Sequence, residues 1–182
     1  MPAELPPLLD RALGLARVDF APSHRQPSGV RVLVALAVSV IGSLAADALL
    51  VAIGTAVFPS TKGYGHFQFS DYAKLTIIGV VIASVAWPVV TRISSAPRWL
   101  FVRLAIAVTV VLWLPDLYIL YGGAPGRAVA VLAVMHLAIA LITYNCLVHL
   151  AAVRALARGP SHARPPFADP DRSASSFARR GS

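Results

Sequence analysis

Two ionisable side chains sit where such groups are rare: Asp47, inside the apolar run Val30–Phe58, and His136, inside the apolar run Arg127–Val153. A carboxyl and an imidazole held together at low dielectric share a proton and titrate as a unit, the chemistry of proton relays and proton-coupled carriers. Asp47 is about eleven residues from Phe58 and His136 about ten from Gly126, so at 1.5 Å of rise per residue both lie roughly 15 Å deep. Matching depth allows an Asp47–His136 pair, although depth alone does not make the two residues meet. The plainer reading of that pair is a polar clasp that fixes helix register. Ser39 and Ser43 precede Asp47 at four-residue spacing, with Gly42 and Ala46 beside them. The acid therefore shares a narrow face that a second backbone can approach closely. Thr143 falls beneath His136 on its helix. The candidate intramembrane site is Asp47, His136, Ser43 and Thr143.

Other polar residues suggest less. Asp116 follows Pro115 near the end of the third apolar run, where an acid reaches the hydrated interface, and it is read as an outer-end acid. The aromatics of the loop Pro59–Asp71 suit an interfacial belt; the alternative is an external lid using His66 and Asp71, or a weak metal site, but two ligands are too few to hold a metal firmly. His136 and His149 are about 220° apart around one helix and no other span offers a histidine, which argues against haem. Cys146 is alone, so one chain cannot build a paired-cysteine redox centre. There is no nucleophile motif, phosphate loop or metal-ligand cluster. Neither a catalytic residue nor a cofactor is expected.

The elements that position these residues follow from composition. The chain has 182 residues, of which 57% are apolar and 13% charged, too little polar surface for a water-soluble domain. Four windows, about 30–58, 72–90, 99–121 and 127–153, each approach the ~20 apolar residues that cross a hydrocarbon core of about 30 Å. The expected fold is all-α: a polytopic four-helix membrane bundle with short loops, covering residues 30–153. Residues 1–29 form an N-terminal segment in which Leu9, Leu13, Ala16 and Phe20 make one apolar stripe, suited to a helix lying on the membrane surface or to a frayed helix of no particular role. Met1-Pro2-Ala3-Glu4 lacks the basic start of a cleavable signal. The Pro-, Ser-, Ala- and Arg-rich tail 154–182 is expected to be disordered.

The net charge of +8 raises the possibility of nucleic acid, but its distribution points elsewhere. Of the 16 lysines and arginines, all but Lys62, Lys74 and Arg127 fall before or at the start of the first run (Arg31), between the second and third or near the start of the third (Arg103), or after the fourth. Basic residues sorted by loop mark the cytoplasmic side, so both termini are expected inside. Without a recognition motif, nucleic acid is not an expected partner. Trp87 and Trp99 are expected at the cytoplasmic interface and Tyr118 and Tyr121 at the outer one, in agreement with this orientation.

Ala96-Pro97-Arg98-Trp99 opening the third run, Pro115 near its end, Arg127 opening the fourth and Met135-His136 within it resemble the uncharacterised four-span integral membrane proteins of actinobacteria. The resemblance covers roughly Val30 to Val153 and implies four helices and a plasma-membrane location, but no activity. The sequence favours a structural or accessory membrane component that meets the lipid bilayer and associates with a second copy or a membrane complex through the small-residue face of the first span. The alternative is a small proton-coupled transporter built on the Asp/His pair, and a membrane enzyme ranks last. Reporter fusions after Arg158 and within Thr61–Gly65 test the orientation. A cytoplasmic signal is expected from the first and an external one from the second; the reverse pattern would overturn it.

Overall fold

The computed structural model describes residues 7–15, 17, 18, 20 and 24–155. Four long helices dominate: α2 (Gly29–Val57), α3 (Phe69–Ile93), α4 (Pro97–Tyr121) and α5 (Gly126–Leu150), preceded by the short α1 (Pro7–Leu15). At 1.5 Å per residue, the 25 residues of α3, α4 and α5 reach about 38 Å and the 29 of α2 about 43 Å, enough to span a bilayer with tilt. Leu33, Ile41, Leu49, Ile82, Ile106 and Leu114 all face outward and are exposed. Water would penalise such a surface and hydrocarbon does not, so this is a multi-pass membrane protein built as an all-α four-helix bundle.

α2 and α5 form the spine. Ala35, Ser39, Ser43, Asp47 and Gly54 make the buried stripe of α2, every one small except the acid. A Cβ on Gly54 would stand 2.8 Å from Val131 Cγ2, and one on Gly42 would stand 3.2 Å from Ile142 Cγ2. Small residues let the backbones close, which is how helices associate where lipid offers no hydrophobic drive. The small-residue face expected to meet another chain is thus covered by α5 of the same chain.

We call the end where α2 begins proximal and the opposite end distal. The proximal core joins Ala35, Trp87, Leu100, Phe101, Leu147 and Val148, so all four helices contribute. The distal core joins Phe67, Tyr72, Ala73, Ala128, Val131 and Met135, and α4 supplies none of its buried residues. Trp87, expected at the interface, is fully buried in the proximal core and donates from Nε1 to the Ala151 carbonyl at 2.9 Å. Tyr118 and Tyr121 are exposed near the distal end of α4.

The N-terminal segment is more than a surface helix. After α1, Val18 bridges to Ser94, the Phe20 amide donates to the Ile93 carbonyl at 3.1 Å, and Ser94 Oγ donates to the Arg17 carbonyl at 2.7 Å. His24–Arg25 (β1) pairs antiparallel with Arg154–Ala155 (β2), so Arg154 and Ala155, placed in the tail by composition, belong to the folded body. Gln26 Nε2 donates to the Thr91 carbonyl at 2.9 Å, and Thr91 Oγ1 donates back to Gln26 Oε1 at 2.6 Å. The rest of the expected tail, from residue 156 on, lies outside the described residues. Pro115 neither ends nor interrupts its helix, since α4 continues to Tyr121.

The close approach at Gly54 gives a stability test. Gly54→Val should overpack against Val131 and lower stability by about 1–3 kcal/mol, and Val131→Ala in the same chain should restore most of it. Thermal melts in mild detergent check this; an unchanged melt for the single variant would contradict the packing.

Candidate functional site

Each spanning helix contributes one residue to a buried polar layer in the distal half of the bundle: Asp47 from α2, Thr76 from α3, Asp116 from α4 and His136 from α5. Asp47 is fully buried, and its Oδ2 accepts a 2.7 Å hydrogen bond from Thr76 Oγ1. His136 Nδ1 lies 3.0 Å from Asp116 Oδ2, with the Asp116 side chain 9% exposed and that of His136 24%. The His136–Asp116 approach is a close carboxyl–imidazole contact, ionic when the ring carries a proton on both nitrogens, and not an aligned hydrogen bond, because neither of those two atoms has a partner in hydrogen-bonding geometry. His136 is within electrostatic range of Asp47 as well, so one imidazole serves two acids.

This corrects the pairing expected from depth. The α2–α5 register set by Gly54 against Val131 and Gly42 against Ile142 does put Asp47 level with His136. Side chains on a helix lean toward its N-terminus, however. On α2 that carries Asp47 toward the proximal end, and on α5 it carries His136 toward the distal end. Asp116 starts shallower, but α4 leans it proximally, so it converges on His136. The acid assigned to the hydrated interface is therefore 6% exposed and supplies the imidazole's contact. Thr76 holds the other acid; in the sequence it is one of a few hydroxyls in an apolar helix, with nothing to single out its partner.

Closer to the proximal end, Ser39 and Ser43 of α2 and Thr143 of α5 are buried. Their hydroxyls have no protein hydrogen-bond partner, and neither has Asp47 Oδ1. An unanswered buried polar group costs about 1–3 kcal/mol. Asn145 and His149, on the other polar side of α5, are exposed, and Asn145 Nδ2 donates to its own helix at Leu141 O, 2.7 Å away.

A crevice of about 580 Å³ opens between α3 and α4, with α5 as its floor. Its polar edge carries His66, Asp71, Thr76, Asp116 and His136, and Thr143 lies on the floor. The flanks are aliphatic: Ile78 and Ile82 on α3 and Leu104 and Leu112 on α4, all exposed on the lipid-facing surface. The crevice exists because α4 packs into the proximal core alone. Its distal half meets α5 through the Asp116–His136 contact, through Trp113 Nε1 donating to the Ala133 carbonyl at 3.2 Å, and through the short turn that joins Tyr121 to Gly126.

The loop between α2 and α3 folds back on the distal end as two 3-10 turns, Pro59–Thr61 and Gly65–Phe67. Phe67 plugs into the distal core, and Tyr64 packs edge-on to both His66 and Phe67, with ring centroids 5.4 Å apart in each case. Partial burial, and then the nearby charge of Asp116, hold the Tyr64 phenol above its ordinary pKa, so it is neutral at physiological pH. His66 and Asp71 both edge the crevice. Among the described residues no three His, Cys, Asp or Glu side chains gather as metal ligands.

The exchanged pairing is open to a double-mutant cycle. Asp116→Asn with His136→Gln should show coupling of about 0.6–1.7 kcal/mol, the range found for polar contacts between membrane helices. Asp47→Asn with His136→Gln should show less, and equal or larger coupling there would reinstate the depth-matched pair.

Compared with known family models, curated proteins and solved structures, the chain matches none of them.

Proposed function

We propose that this membrane protein moves a small molecule across the bilayer in exchange for protons and is not an enzyme. The observation that carries the reading is Asp116 against His136 on the wall of a crevice open toward lipid, at a point where the distal half of α4 meets α5. A carboxyl and an imidazole at 3.0 Å exchange a proton readily. Ionised, the pair holds α4 against α5; protonation of the carboxyl removes that attraction and loosens the stretch around Asp116, while the Trp113 indole and the short turn into α5 still hold the distal half. The proximal core holds one half of α4 and the short turn into α5 holds its distal tip, so the stretch around Asp116 is the part whose packing answers to the proton. An element biased by a proton in this way is what alternating exposure of a site requires.

The accessory reading rested on the small-residue face of α2, and α5 occupies that face within the chain. The orientation read from the arginines places the polar layer in the outer half of a plasma membrane, with both termini cytoplasmic, and the likeness to actinobacterial four-span proteins belongs to the same proposal. The immediate partner is the lipid bilayer.

Proteoliposomes under an imposed pH gradient test the exchange. Accumulation of three fluorescent amphiphiles would be followed: ethidium as cation, anilinonaphthalene sulfonate as anion and N-phenylnaphthylamine as neutral compound. At least one should accumulate about tenfold faster than with Asp116→Asn, equivalent to roughly 1.4 kcal/mol in the barrier. If none does so with folded protein in both samples, the exchange reading fails.

A further inference from the structure

We infer that the crevice between α3 and α4 binds a hydrophobic organic cation, with Asp116 as its counter-charge. The inference rests on the exchange reading for its purpose, while the binding itself stands on the geometry of the crevice.

Charge is the first argument. The ionisable carboxyl and imidazole groups lining the crevice are Asp71, Asp116, His66 and His136, and no lysine or arginine lines it. In a chain with a net charge of +8, a large cavity bordered by acids and free of basic side chains is a local reversal of sign. It repels anions and favours cations. Asp116 is the acid that matters most, because its side chain is 9% exposed and its Oδ2, though close to His136, has no aligned hydrogen bond. A buried carboxylate in an apolar setting is costly until an opposite charge answers it. Asp47, held by Thr76, does not line the crevice, so an organic cation that enters meets Asp116 and supplies the opposite charge there in place of His136.

Shape and surface are the second argument. About 580 Å³ lies within the usual range for small-molecule sites, and the walls are mainly aliphatic, so an occupant must shed water over most of its surface. A small hydrated ion does not gain from such walls; a cation shielded by apolar arms does. Tyr72 lines the crevice near the polar layer, whereas the stacked rings of Phe101 and Tyr144 line its proximal part, about 22 Å from Asp116 along α4, and extend the apolar wall. Thr143, 4% exposed and without a partner for its hydroxyl, adds a polar contact in the floor.

Entry is the third argument. The aliphatic flanks of the crevice are exposed on the face turned to lipid, so a molecule dissolved in the membrane reaches the polar layer sideways between α3 and α4. That path favours amphiphiles over strongly hydrated solutes.

The pH dependence has one sign. Asp116 is faced by His136 from α5 and by His66 and Tyr64 from the α2–α3 loop; Asp47 is faced by Thr76 and Tyr72 from α3 and by His136. Lowering the pH protonates the carboxyls, and losing that counter-charge weakens attraction for a cation.

Tetraphenylphosphonium and tetraphenylborate, nearly identical in shape and opposite in charge, make the test. Equilibrium dialysis of the full chain in mild detergent should show saturable binding of the phosphonium that falls as pH is lowered, and no comparable binding of the borate. Asp116→Asn should weaken phosphonium binding about tenfold, with folding checked by its melt, and His149→Gln, on an exposed face of α5, should leave it unchanged. Equal binding of both probes, or phosphonium binding indifferent to pH and to Asp116→Asn, would overturn the inference. The two proposals fail separately. Phosphonium binding without gradient-driven accumulation of any amphiphile leaves the cation site and removes the exchange; accumulation of the anion or neutral compound alone leaves the exchange and removes the cation site.

Discussion

An ionisable group inside a hydrocarbon-embedded bundle has to be answered by another helix, and this constraint organises the molecule. No bulk water is at hand in the bilayer core, so a polar side chain facing lipid costs several kcal/mol and the chain turns it inward. Asp47 fixes the rotation of α2: the stripe that buries it also buries Ser39 and Ser43, and that stripe is what α5 packs against. Thr76 of α3 then answers Asp47, and Asp116 of α4 answers His136 of α5. One layer of polar residues, one from each span, sets how the four helices face one another.

The two contacts have different structural consequences. Asp47 is sealed behind Thr76, in the part of the bundle where α2 and α5 close tightly over glycine and serine. Asp116 and His136 lie at the edge of a crevice, in the part where α4 has left the distal core. The first contact is suited to holding a register and the second to being made and broken. The proposed chemistry follows from that asymmetry: a sealed acid stabilises the frame, and an acid on the crevice wall meets a proton or a cation.

Much of the fold was legible because hydropathy over about 20 residues is a strong signal, and four such windows separated by charged or glycine-containing turns leave little freedom. The residues of the site were legible as well, since a charge in an apolar run stands out. Their partners were not. Depth along the axis can be counted from sequence, but direction depends on which way each helix runs, and the lean of side chains toward the helix N-terminus separated Asp47 from His136 and brought Asp116 to it. The strap at the proximal end was illegible for another reason: Arg17, Phe20 and the His24–Arg25 pair act mainly through backbone bonds, which leave no periodic pattern. Trp87 looked like an interfacial residue because its place in the sequence is near a span end, yet the strap and the stretch after α5 extend the folded body beyond it and bury it.

The central claim is that the imidazole of His136 belongs to Asp116. Nitrogen NMR of the His136 ring, in protein with labelled histidine in lipid nanodiscs, reads it directly. The account predicts that Asp116→Asn shifts the ring nitrogens and the titration of His136 far more than Asp47→Asn does. A ring that responds mainly to Asp47→Asn, and little to Asp116→Asn, would contradict it.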